Sequence, residues 1–400
     1  MSSFFIEPET RKAPVCLFVI AWLGVSGFNQ LATAQPPQEN ALPYPAALSN
    51  ENLVNIPVQA RITPHFEIYN PHSREDMVAI KNMGFTQVIL DRADLHVEAT
   101  GVGLNIVLAN WWTRKTLPED IEQGVKYAAQ VDPSRLIAVS MMDEPERHAP
   151  DTPFPFYKAL YQDLRTRFDR EMPGVQLEIS HWGPLASWPI EAYRLFKPLY
   201  QATDRIRLMP YPDLYEGPLS EVYYQMQRSR HIMQLAGRNL PQVVILQTWA
   251  LPNEQKLPTI DELRVMAYQA MLFGADTLSF YNYDPALWQQ TPGFTESFCE
   301  LMQELTAFSH TYRAASVESQ MTANGILKAT IDLPGCSPVL VSVNTNREQV
   351  DDLAPLAVVI AQASCAVQRA DVYRGRVKRR IFRRRGRCFG ARRASCGGRG

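Results

Sequence analysis

Short apolar runs of β character alternate along the centre of the chain with segments whose apolar residues recur every three or four positions. The runs are HFEIYN (65–70), TQVILD (86–91), NIVLANWW (105–112), LIAVSMMDE (136–144), QLEISHW (176–182), IRLMPYP (206–212), QVVILQTW (242–249) and TLSFYNYD (277–284). Several are nearly continuous Val, Ile and Leu, as expected of parallel strands covered on both faces. The segments between them carry helical signals. Ser73 and Asp76 form a capping-box pattern ahead of Met77, Ile80 and Met83, and Gly84 supplies the stop. Tyr157, Leu160, Tyr161, Leu164 and Phe168 make one apolar stripe. Thr259 and Glu262 open another helix that runs through Leu263, Met266, Ala267 and Met271 to Gly274, and an eighth helix spans the region from Phe298 to Phe308. Only the connection after the second strand is too short for a full helix.

Eight strands alternating with helices over residues 61–315 predict an α/β fold, a (β/α)8 TIM barrel of about the usual 250 residues. The rival is an open doubly wound sheet, which advertises a Gly-rich phosphate turn after its first strand. Here YNPHSRED follows that strand, and the barrel is preferred. After residue 315 the pattern changes. ILKATIDL and PVLVSVNTN, separated by Pro334-Gly335, predict antiparallel strands of a small C-terminal β-domain over 316–361.

Charge modifies this picture only at the end of the chain. The 400 residues are 46% hydrophobic with a formal net charge of −1. From Ala361 onward there are thirteen Lys or Arg against the single acid Asp371, so the other 360 residues carry −13. The Arg-rich tail, 362–400, has too little periodicity to bury a core and is expected to be disordered. It reads either as an anion-binding extension or as sequence that has left its original reading frame near residue 370, which would also leave the β-domain incomplete. No nucleic-acid partner is expected. At the other end, Arg11 and Lys12 precede the apolar run APVCLFVIAWLGVSGF, and Ala32-Thr33-Ala34 offers small residues for cleavage. Residues 1–34 thus predict a signal peptide and an exported, periplasmic or extracellular protein, followed by a Pro-rich linker over 35–60. The apolar run is shorter than the roughly 20 residues of a membrane-spanning helix, so no stable span is expected. The cysteines lack C-x-x-C spacing and support neither a zinc site nor a disulfide framework. No metal or cofactor is implied.

In a barrel of this kind the active site forms at the C-terminal ends of the strands. Those ends carry carboxylates and large aromatics: Glu67; Asp91; Asn110, Trp111 and Trp112; Asp143 and Glu144; Glu178, His181 and Trp182; Tyr211; Gln247 and Trp249; Tyr283 and Asp284. Aromatic faces stack on sugar rings, and paired carboxylates supply proton transfer and nucleophilic attack at an anomeric carbon. A carbohydrate substrate follows from this inventory. The sharpest element is MMDEPE (141–146), where an apolar strand ends in two acids and Pro145 holds Glu144 extended. Neighbouring strand residues face opposite sides, so Asp143 and Glu144 cannot both face one substrate. Glu144 in an aromatic mouth would have its pKa raised toward that of a general acid. The alternative is that these acids cap a helix. Asp91 and Arg92 could form a structural ion pair, and His181 could be a satisfied polar partner.

On these residues the region 61–346 resembles the clan A glycoside hydrolases, especially the family 42 β-galactosidase barrel and its exported relatives. Asp143-Glu144-Pro145 occupies the place of that clan's strand-four Asn-Glu-Pro, which implies that Glu144 is the acid/base. MPYPD (209–213) and LPTIDELRVMAYQAMLFGADTLSFYNY (257–283) carry further likeness. The resemblance implies a Glu nucleophile at the end of strand seven, where this chain has VVILQTWA, with Gln247 or Trp249 in that place. A neutral amide cannot form a glycosyl ester. Three alternatives stay open: another acid, from among Glu178, Asp91, Glu67, Glu254 and Asp284, serves as nucleophile or base; the substrate supplies its own nucleophile; or the barrel binds glycan without cleaving it.

Overall fold

The computed structural model describes residues 60–62, 64–109, 118–143, 154–181, 193–212, 217–250, 257–313 and 315–361. The expected signal peptide, nearly all of the linker and the Arg-rich tail lie outside them. The chain opens with a two-residue strand, β1 (Ala60–Arg61), and then enters a closed parallel barrel. Its strands are β2 (His65–Tyr69), β3 (Gln87–Leu90), β4 (Asn105–Ala109), β5 (Leu136–Asp143), β6 (Gln176–His181), β7 (Arg205–Leu208), β8 (Gln242–Gln247) and β9 (Thr277–Tyr281). The ring closes where β9 pairs with β2, with His65 opposite Thr277 and Glu67 opposite Ser279. All eight predicted strands are present, and β2, β3, β7, β8 and β9, whose following residues are described, each end short of the C-terminal end of the apolar run.

The helices between the strands are α1 (Arg74–Asn82), α2 (His96–Val102), α3 (Pro118–Ala128), α4 (Phe154–Glu171), α5 (Tyr193–Ala202), α6 (Glu221–Ala236) and α7 (Ile260–Leu272). After the last strand come α8 (Pro285–Gln290) and α9 (Phe294–Tyr312). The short second connection holds a 3-10 turn, Ala93–Leu95, and the seven-residue α2, which ends on Gly103 in the left-handed conformation. At α1 the Ser73 hydroxyl accepts from the Asp76 N–H at 3.1 Å, while the Asp76 carboxylate reaches back past the cap to the His72 N–H at 3.0 Å. The capping box at α7 is complete: the Thr259 hydroxyl accepts from the Glu262 N–H, and the Glu262 carboxylate accepts from the Thr259 N–H at 2.8 Å.

Helix α7 is buried on nearly every face, from Leu263 through Leu272. A helix apolar all round must be covered on both sides, and here the second cover is an antiparallel sheet ordered β1, β10 (Ser316–Met321), β11 (Ile326–Asp332), β12 (Val339–Asn344) and β13 (Val358–Ile360). The sheet packs on α7 through β10, β12 and β13. Glu262 links the two layers, accepting from the Arg347 guanidinium at 2.8 Å. Burial opposes its charge, but the Thr259 N–H and Arg347 outweigh that and hold its pKa below the usual carboxylate range. The sheet also recruits β1 from ahead of the barrel, with Ala60 opposite Val317. That strand passes so close to the end of α7 that a Cβ on Gly274, which has φ +85°, would lie 2.5 Å from the Ala60 Cβ. Gly274 therefore both ends the helix and makes room for β1. Cys299 is buried in α9 and takes part in no disulfide, whereas Cys336 is disulfide-bonded. No described helix is long and apolar enough to cross a membrane.

Candidate functional site

Strand alternation sorts the barrel residues into two sets. Phe66, Ile68, Val88, Leu90, Ile106, Leu108, Leu177, Ile179, Ile206, Leu208, Val244, Leu246, Leu278 and Phe280 face the helices and join the large outer core. The opposite set faces the barrel axis and is stratified by chemistry. Its lower layer is polar: Glu67, Glu178, Arg205, Arg207, Thr277 and Ser279, all buried. Arg207, without solvent exposure, donates to Glu178 at 2.6 Å, to Glu67, and to Ser279 at 3.3 Å. Arg205 lies 3.4 Å from the second Glu178 oxygen and donates to Thr277 at 3.1 Å. Two carboxylates thus meet two guanidiniums in the centre of the barrel. Burial works against the Arg207 charge, but Glu178 and Glu67 outweigh it and hold the pKa well above that of an ordinary guanidinium.

Above this layer lies a smaller apolar cluster of Tyr69, Ile89, Val107, Ala109, Ala138, Met209, Tyr211 and Ile245, with the partly buried Tyr281 packed against it. Tyr69 joins the two layers, since the Arg207 guanidinium sits 5.3 Å from its ring centre. Its ring meets Tyr281 edge-on at 5.0 Å; Tyr281 meets Trp249 at 6.3 Å, and Trp249 meets Tyr211 at 6.2 Å, both near-perpendicular. Four aromatics from β2, β9 and the chain just beyond β7 and β8 therefore form one connected group at the C-terminal end of the barrel. Gln247, the last residue of β8, stands opposite Tyr281 and donates through Nε2 to the Trp249 carbonyl at 3.0 Å.

The residues singled out from sequence are distributed as follows. Gln247, Trp249 and Tyr211 are brought together with Tyr69 and Tyr281. Glu67 and Glu178 lie below that group, each engaged by Arg207. His181 faces the other way: its ring lies between strand and helix, 5.1 Å from Phe196 and 5.4 Å from Tyr200 of α5. Tyr283 is likewise in the outer core, edge-on to Trp288 at 5.2 Å, with its backbone N–H donating to the Tyr69 carbonyl at 3.0 Å. Burial pushes its phenol pKa upward. Asp91 is exposed beyond β3, and Arg92, one candidate partner for it, pairs with Asp94 two residues on at 2.6 Å. Asp284 caps α8, accepting from the Leu287 N–H at 2.9 Å. Asp143 ends β5 in register with Ser180, after a bulge between Ser140 and Met142. Glu144, Asn110, Trp111, Trp112, Trp182 and Glu254 lie outside the described residues.

Sequence reasoning overlooked Arg205 and Arg207. Their signal was present: two arginines one residue apart in an apolar strand share a face, and a charge on a buried face needs a partner. Chemically, the described group offers aromatic surface, a neutral amide and an indole N–H above a charge-balanced base. Among the described residues no three His, Cys, Asp or Glu side chains come together as metal ligands.

No family model matches the chain, and no curated protein matches it. Similar solved structures include the endo-β-1,4-mannanase from Thermotoga petrophila, at 12% identity over 76% of this chain and 88% of that one, with a TM-score of 0.46. A glucosidase from Croceicoccus marinus is 11% identical over 78% and 82%, again at 0.46. A β-galactosidase from the psychrophilic Marinomonas ef1 is 10% identical over 62% and 60%, at the same score.

Proposed function

We propose that the protein is an exported glycoside hydrolase acting on an oligo- or polysaccharide, with Glu144 as general acid/base. The observation that carries this reading is the aromatic group of Tyr69, Tyr281, Trp249 and Tyr211 at the C-terminal end of a closed parallel barrel. Barrel enzymes assemble their chemistry at that end, and aromatic surface is what a sugar face stacks on. The fourth barrel strand delivers Asp143 to the same end, immediately before Glu144 and Pro145. The clan A likeness assigns the acid/base to that Glu. Export is supported by the signal-like N-terminus.

A second reading, a carbohydrate-binding barrel without turnover, is favoured by one feature. Strand β8 ends in the neutral Gln247, and the described buried carboxylates Glu67 and Glu178 are engaged by guanidiniums. The two readings separate in one experiment. The parent, Glu144→Gln and Asp143→Asn are incubated with a panel of plant, fungal and bacterial glycans, and released reducing ends are measured alongside far-UV circular dichroism. The hydrolase reading expects product from the parent, loss of at least about a hundredfold in rate in Glu144→Gln with the fold retained, and a smaller loss in Asp143→Asn. Full activity in Glu144→Gln would overturn the assignment. Glycan binding with no product from the parent would establish the second reading.

A further inference from the structure

The end of strand β8 holds a hydrogen-bond acceptor and a donor that no group among the described residues uses. Gln247 is 3% exposed; its Nε2 is spent on the Trp249 carbonyl, and its Oε1 is buried without a partner. Turning the amide over would aim Oε1 at that same carbonyl oxygen, acceptor against acceptor, so the observed orientation is the one the chemistry selects. Two residues on, the Trp249 indole N–H is also buried and unpartnered. Most buried polar groups in folded proteins are paired, and those that are not call for an explanation such as a ligand. Both groups are neutral, and both belong to the aromatic end of the barrel. Trp249 touches Tyr211 and Tyr281 there, and the Gln247 backbone is paired with Tyr281.

We propose that Gln247 and Trp249 form a subsite for a secondary amide, the acetamido substituent of an N-acetylated sugar. This deepens the glycan reading above and rests on it. An acetamido group carries one N–H for the Gln247 Oε1, one carbonyl oxygen for the Trp249 N–H, and a methyl that suits the rings of Tyr211 and Tyr281. Its neutrality matches a strand end that presents no charge. A de-N-acetylated amine would bring a cation beside the indole N–H, where only its interaction with ring faces would favour it. A plain hydroxyl in the same place lacks the methyl. Because Gln247 Oε1 and Trp249 Nε1 are both screened from solvent, binding has to turn the partly exposed Trp249 ring, and tryptophan emission reports that movement.

The test titrates the full chain with chitotriose, its fully de-N-acetylated counterpart and cellotriose, read by calorimetry and tryptophan emission. Chitotriose is expected to bind about tenfold more tightly than cellotriose, and more tightly than the amine. Gln247→Leu, which removes the acceptor at similar volume, and Trp249→Phe, which removes the donor but keeps a ring, should each lower that preference about tenfold. Cellotriose affinity should change far less. Circular dichroism on both variants checks the fold, and either one suffices if the other fails to fold. Cellotriose binding as tight as chitotriose, or a preference unchanged in both folded variants, would overturn the acetamide subsite and leave the glycan reading intact. Binding of none of the three sugars would overturn the subsite, and if the wider glycan panel also fails, the glycan reading with it.

Discussion

Replacing Arg207 by Met tests the charge layer inside the barrel. The guanidinium has no solvent exposure and is shared by Glu67, Glu178 and Ser279. Met fills much of the volume and supplies none of the charge. Arg205 remains 3.4 Å from Glu178 and still balances it. Glu67 is then left as an uncompensated charge with no access to water. Breaking a buried pair from one side costs about 3–5 kcal/mol, because the surviving charge has already been desolvated. For a chain of this length, roughly 2 °C of melting temperature corresponds to 1 kcal/mol, so the variant should melt roughly 6–10 °C lower. The control is Glu67→Gln added to Arg207→Met, which removes the stranded charge while the Arg205–Glu178 pair stays. That double variant should regain most of the loss and melt within about 4 °C of the parent. Thermal unfolding followed by far-UV circular dichroism measures both. A single variant that melts within 2 °C of the parent, or a double variant no better than the single, would refute this account of the layer.

Three further outcomes follow from particular contacts. Glu262→Gln should cost about 1–2 kcal/mol at pH 7, since it weakens the α7 cap and the link to Arg347. Because the folded-state pKa of Glu262 is depressed, that contribution is present above its ordinary value of about 4.5 and is lost as pH falls through the folded value; urea unfolding at pH 7 and pH 3.5 should show the gap closing, and a gap of equal size at both would count against it. Gly274→Ala should destabilise by about 2 kcal/mol or more through its φ of +85° and the 2.5 Å approach to Ala60, and combining it with Ala60→Gly should restore part of this in the same unfolding assay. His181→Ala should cost about 2–4 kcal/mol by opening a cavity against Phe196 and Tyr200, yet leave glycan affinity within twofold, because that ring faces away from the barrel axis; a large affinity loss with normal stability would place it in the site after all.

Much of this protein was determined by the sequence alone. Strand and helix identity came from periodicity, because residues 242–247 are apolar on both faces and residues 259–274 carry their own cap and stop; such signals act within a dozen residues. Alternation also marks which side chains share a face, enough in principle to pair Arg205 and Arg207 with inward acids. Tertiary structure alone decided which acids those were. Glu67 and Arg207 lie 140 positions apart, and only closure of the ring brings them together. It also decided that His181 and Tyr283, both at strand ends, turn toward helices, whereas Gln247 joins Tyr281. The bulge between Ser140 and Met142 shows why sequence could not settle this. One extra residue reverses the two-residue alternation, so the facing of Asp143 cannot be counted forward from Ala138. Periodicity is a local property of the chain, whereas the phase in which each strand meets its neighbours is set by the closed barrel.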